Sequence, residues 1–174
     1  MSKVRFTNRD GLELVGNLEL PPGGDWRATA LFAHCFTCTR NIKAARNITR
    51  ALADAGFAVL RFDFTGLGES EGDFADTTFS SNLDDLEDAA GWLVDQLAPP
   101  QLLLGHSLGG AAVLAAAERL DSVRAVATIA APDDAEHVLK QFGDDLDTIE
   151  REGSAQVQLA GRPFRIRWDF VEDA

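Results

Sequence analysis

The chain has 174 residues, 45% of them apolar, and a formal net charge of −12. That describes one ordinary globular domain with room for a core. The acidity excludes nucleic acid and anionic membrane as expected partners, since both demand basic patches. No apolar run reaches bilayer-spanning length. Residues 1–10 lack the apolar stretch of a signal peptide, so a cytoplasmic location is expected.

Residues 3–7 alternate as a strand does, and Asn8-Arg9-Asp10-Gly11 is a hairpin turn. Residues 12–20 alternate again, with Leu12, Leu14, Gly16, Leu18 and Leu20 on one face and Glu13, Asn17 and Glu19 opposite, until Pro21-Pro22-Gly23-Gly24 breaks the pattern. The rhythm then changes. Residues 28–34 form a continuous apolar strand. Residues 41–55 carry Ile42, Ala45, Ile48 and Leu52 at helical spacing, with Gly56 ending the helix.

Residues 57–62 are a further strand. Residues 81–97 read as an amphipathic helix with Asp84 and Asp85 in its first turn. Residues 101–104 are a buried strand, 108–120 an Ala/Leu-rich helix, and 123–130 another strand, with Val123 and Ala130 at its ends. Apolar strands alternating with helices predict a mostly parallel sheet covered on both faces.

Beyond Pro132 the order breaks. Residues 133–152 carry eight acidic side chains against Lys140 and Arg151. We read them as a helical, solvated face, because no Asp-x-Asp-x-Asp-Gly loop supports a cation. Residues 156–168 form a hairpin turning at Gly161-Arg162. The expected organisation is a single domain over 1–174, with a core at 1–132 and a lid-like segment at 133–174. Leu139, Phe142, Phe164 and Trp168 in that segment either line an acyl pocket or pack on the core, and packing is the plainer reading.

The chemistry concentrates at Gly105-His106-Ser107-Leu108-Gly109. A Gly-x-Ser-x-Gly stretch between a buried strand and a helix is the pattern of a nucleophile elbow. The glycines suit a turn so tight that strand and helix backbones approach each other. The turn sets the serine over a helix N-terminus, where free N–H groups can bind an oxyanion. The Gly66/Gly68 loop lacks the further glycine or lysine of a phosphate cradle. Cys35 and Cys38 are spaced as a redox pair. We read them as two reduced, partly buried thiols, because their spacing coincides with another motif.

Three motifs in order resemble one family. His34-Cys35-Phe36-Thr37 is similar to the His-Gly-Phe-Thr segment after the third strand of many α/β-hydrolase esterases. Asp63-Phe64-Thr65-Gly66-Leu67-Gly68-Glu69-Ser70 resembles the Asp-x-x-Gly-x-Gly-x-Ser loop after the fourth, and Gly-His-Ser-Leu-Gly-Gly resembles the elbow after the fifth. The chain looks most similar to the hydrolase half of bacterial hydrolase–OsmC fusion proteins, and more broadly to cinnamoyl-esterase and serine-aminopeptidase-like hydrolases.

The resemblance implies a three-layer α/β/α sandwich with an N-terminal antiparallel hairpin. It implies Ser107 as the acyl-accepting nucleophile, with the backbone N–H groups of Leu108 and Phe36 as oxyanion donors. No cofactor or metal is implied. Cys35 departs from the family's usual glycine, which puts the shape of the oxyanion hole in question. His34, His106 and Asp63 are expected to be structural.

A serine hydrolase also needs a base and an acid that orients it. The family order is Ser, then Asp or Glu, then His. The only histidine after Ser107 is His137, with Asp133 four residues before it, in an unusual place for a base. The simpler expectation is that the chain stops before the family's last two strands. The strand over residues 123–130 is then an exposed parallel edge, covered by the C-terminal hairpin, a second copy or a partner chain.

Three functions remain open at this point. The first is a serine hydrolase acting on a small ester or acyl substrate. The second is an incomplete, hydrolase-like module. The third is a thiol redox protein using Cys35 and Cys38.

Overall fold

The computed structural model describes all of residues 1–174. Its main sheet uses β1 (Ser2–Thr7), β2 (Glu13–Glu19), β3 (Ala28–Ala33), β4 (Phe57–Phe62), β5 (Leu102–His106) and β6 (Ala125–Ile129), in the spatial order β1-β2-β4-β3-β5-β6. The β1–β2 and β2–β4 pairs are antiparallel, and β4, β3, β5 and β6 run parallel. The antiparallel start and parallel remainder match the change of rhythm in the sequence.

Alternation along the parallel strands sorts their side chains onto two faces. Ala30, Phe32, Val59 and Leu104 pack with Ala45 of α1 (Lys43–Asp54). Leu31, Leu60 and Leu103 join the larger core beneath α2 (Phe79–Gln96) and α3 (Leu108–Ala117). The result is three layers, α/β/α.

Helix α2 starts earlier than its apolar spacing suggests. A capping box at Thr78 and Ser81 opens it at Phe79, which moves Asp84 and Asp85 out of the first turn. Asp85 instead turns inward. It accepts from the Thr65 amide at 2.8 Å and from Asn8 Nδ2 at 3.1 Å, and burial pushes its carboxyl up.

The polar face of β2 is not solvated either. Asn17 and Glu19 are buried because β2 lies inside the sheet, between β1 and β4. Asn17 accepts from Arg40 Nε at 2.8 Å, and Glu19 pairs with the buried Arg61.

After β6 the acidic stretch is not one helix. A 3-10 segment, Ala135–Gln141, is followed by Gly143 at φ 53° and then α4 (Asp145–Glu152). Strands β7 (Ser154–Leu159) and β8 (Arg162–Arg167) pair as a separate two-stranded sheet, and α5 (Trp168–Asp173) follows directly.

The hairpin therefore does not cover β6. This corrects one of the three covers expected for the strand running from Val123 to Ala130. The hairpin's Val157, Leu159 and Ile166 are buried in the main core instead, and β6 keeps an outer edge with Ile129 41% exposed.

Candidate active site

Ser107 joins β5 to α3 at φ 56° and ψ −128°, a strained conformation for a residue with a side chain. Its amide donates to Ile129 O at 2.9 Å, and its carbonyl accepts from Gly110 at 2.7 Å. The turn is thus tied to both β6 and α3. A Cβ on Gly105 would fall on the backbone of Gly109 and Gly110. One on Gly109 would fall on the carbonyls of His34 and Ala33, and one on Gly110 on the Ala131 side chain. Gly110, outside the motif, is therefore also constrained, though by a side chain rather than by backbone.

The amides of Leu108 and Phe36 have no backbone acceptor. For Leu108 this follows from its place as the first residue of a helix. Phe36 sits in the turn after β3. The two residues line one narrow gap together with His34, Gly109 and Ala112.

His34 is fully buried, and its Nδ1 lies 2.8 Å from Cys35 O. A carbonyl only accepts, so Nδ1 carries the proton. Nε2 then faces Asp63, 3.9 Å away, without a hydrogen bond. Burial pushes the imidazole below its ordinary range, so it is neutral at pH 7.

Asp63 is the hub of the Gly-rich loop. It accepts from the amide of Arg40 at 2.6 Å and the amide of Glu69 at 3.0 Å, and it pairs with the Arg40 guanidinium. Gly68 leaves the room this carboxylate occupies. Lys3 and Arg40 hold Glu69 down to about 2.

Arg40 and Arg61 escaped sequence reasoning. A charged residue inside the apolar strand at residues 57–62 was the available signal for Arg61. Arg40, in a loop, gave none.

A cleft of about 470 Å³ opens beside the elbow, lined by Ser107, Leu108, Ala130, Ala131, Pro132, Asp133, His137, Val138 and Gln141. Asp133 and His137 thus share a cleft with the serine. No hydrogen bond joins them to each other or to Ser107. The His137 amide caps onto Asp134 Oδ1 at 2.8 Å, and its Nδ1 accepts from Lys140 Nζ at 3.4 Å. His106 is a neighbour of His34 whose buried Nδ1 has no partner.

The lid aromatics lie away from this cleft. Phe142 and Phe170 are buried against the ring of Phe36, and Phe164 packs on Phe74. Leu139, Phe142, Phe164 and Trp168 belong to the core cluster rather than the cleft lining.

The cysteines correct the reading of two reduced thiols. Cys35 and Cys38 are joined by a disulfide. The physical reason is the turn after β3: Cys38 N donates to Cys35 O at 3.0 Å, which brings the two Cα atoms to 5.2 Å, within disulfide range.

The esterase domain of a Rhodothermus marinus protein is 51% identical and superposes with a TM-score of 0.74, covering 98% of this chain and 66% of that one. The mouse palmitoyl-protein thioesterase ABHD10, mitochondrial, is 39% identical over 131 residues. This chain spans about two fifths of the length of that relative, 41%, and 68% of its own length takes part. Est1E from Butyrivibrio proteoclasticus, solved with ferulic acid bound, shares the fold at a TM-score of 0.80 and 22% identity, over 99% of this chain and 69% of that one. No helix is long and apolar enough to cross a membrane. The family profile described as the alpha/beta hydrolase fold matches residues 31–174. The chain belongs to the α/β-hydrolase family.

Proposed function

We propose that the chain carries the acyl-transfer site of a serine hydrolase acting on small esters or related acyl compounds. In this reading Ser107 Oγ attacks the substrate carbonyl. The amides of Leu108 and Phe36 donate to the oxyanion that forms, the alcohol or thiol leaves, and water releases the acid. The observation that carries the reading is the strained elbow at Ser107 with φ 56°, followed by Leu108, whose amide has no backbone acceptor and which lines one gap with Phe36. Asp133 and His137 are the proposed acid and base available within the cleft. Acyl thioesters belong among the substrates to test, since the mouse relative is named a thioesterase.

A second reading is favoured by a separate observation. The only histidine lining the cleft, His137, is exposed and contacts Lys140 rather than the serine. On that reading the chain is an acyl-binding, hydrolase-like module whose base comes from outside these residues. A second copy or a partner chain along the open β6 edge is then its proposed source. A cytoplasmic setting, without nucleic acid or membrane as partner, remains part of the proposal.

The two readings separate in pre-steady-state assays with a p-nitrophenyl ester and an acyl thioester. A burst followed by turnover, abolished in Ser107→Ala, supports the hydrolase. Absence of both burst and turnover in folded protein supports the module.

A further inference from the structure

The turn after β3 carries three things at once. Its Phe36 amide is the proposed second oxyanion donor. Its Thr37 carbonyl accepts from the Arg162 guanidinium at the start of β8, 125 residues away in sequence. Its ends, Cys35 and Cys38, are joined by the disulfide. The Phe36 ring is gripped by Phe142 and Phe170, at centroid distances of 6.4 Å and 4.9 Å. The cross-linked ring therefore holds both a donor of the proposed site and the carbonyl to which the hairpin is fastened. Both cysteines are half-buried, so reagents can reach them.

We propose that Cys35–Cys38 is a reversible redox site that latches the C-terminal hairpin to the oxyanion loop, with small or protein dithiols and disulfides as its reactants. This rests on the acyl-transfer reading for its catalytic consequence and not for the latch itself. A dithiol attacks one sulfur through its thiolate, forming a mixed disulfide. The second thiol of the reagent then displaces the other cysteine. Two electrons and two protons pass to Cys35 and Cys38, and the reagent leaves as its disulfide. Oxidation by a disulfide R–S–S–R runs in reverse and releases two RSH.

In the oxidised state the four-residue ring fixes the Cys35–Phe36 peptide and presents the Thr37 carbonyl to Arg162. In the reduced state only hydrogen bonds and aromatic packing hold them. In the proposed cytoplasmic setting a disulfide is most often transient, catalytic or redox-sensing rather than structural.

The test compares folded protein treated with dithiothreitol and then with glutathione disulfide. It reads free thiols, the rate of fluorophosphonate labelling at Ser107, and backbone hydrogen exchange over residues 154–167. The expected result is two thiols gained on reduction, labelling slowed on the order of tenfold, faster exchange in the hairpin, and full reversal on oxidation. Cys38→Ser should remain at the reduced level under both reagents. Arg162→Ala should retain the disulfide yet show fast hairpin exchange in both states.

Equal labelling and equal exchange in the two redox states would overturn the proposal, as would thiols that fail to pair on oxidation. If Ser107 labels in neither state, the acyl-transfer reading falls instead. Hairpin exchange then decides the latch alone: a rise on reduction supports it and no change overturns it.

Discussion

The Cys35 carbonyl accepts from Nδ1 of the buried His34 at 2.8 Å, and that carbonyl shares a rigid peptide plane with the amide of Phe36. The histidine therefore sets the direction of the proposed oxyanion donor without touching substrate.

His34→Ala should rotate that peptide and slow acylation of Ser107 on the order of 10–100-fold. The readout is single-turnover kinetics with a p-nitrophenyl ester. His34→Asn, which retains a short side-chain N–H donor, should recover part of the rate. Equal rates in all three proteins would remove His34 from this role.

His34 should also give stability a pH dependence. Its folded value is lowered by burial, so the unfolded chain takes up a proton that the fold refuses. Stability should therefore fall as pH drops below roughly 6.5, the unfolded value, and level off below the folded one. Urea denaturation between pH 5 and 8 measures the slope. His34→Asn should flatten it.

Gly109→Ala should destabilise by about 3 kcal/mol or more, because the added methyl meets the carbonyls of His34 and Ala33 rather than a movable side chain. Gly91, whose Cβ would meet open space, serves as control. Gly91→Ala, mid-helix in α2, should be neutral or stabilising by up to roughly 1 kcal/mol in thermal or chemical melts.

Asp63→Asn leaves the buried Arg40 with the half-exposed Glu69 as its one remaining carboxylate partner. Removing one member of a buried ion pair costs about 3–5 kcal/mol, and the Glu69 amide loses a charged acceptor as well. Chemical denaturation checks the loss. Double substitution of Arg40 to Met and Asp63 to Asn should be less harmful than the two single changes summed.

The open edge of β6 should promote association. Sedimentation across a hundredfold concentration range should show larger species, and Thr128→Pro should reduce them by removing an edge donor. A protein that stays monomeric throughout would sink the proposal of a second copy on this edge.

Much of this fold could be read in the residues because their periodicities are unforced. The hairpin at Asn8–Gly11, the apolar strands and the helices each follow from period 2 or period 3.6. Some of what stayed hidden was local capping and turn geometry, and some depended on contacts distant in sequence. The start of α2 was set by Thr78 and Ser81 rather than by its apolar stripe. The polar side of β2 was buried because β4 inserts beside it and supplies Arg61. Ser107 was legible because elbow geometry demands particular glycines. The Cys35–Cys38 bond was not, because a turn and a redox state decide it. The split at Gly143 and the docking of the hairpin onto the core rather than onto β6 follow from tertiary packing that local pattern does not encode.

If Ser107 is an activated nucleophile, intact mass after brief exposure to a fluorophosphonate shows it at once, with Ser107→Ala as control. The oxidised wild-type chain should carry a single adduct, formed within minutes and absent in the variant. A folded chain that forms no adduct, or an equal adduct in Ser107→Ala, would contradict an activated Ser107.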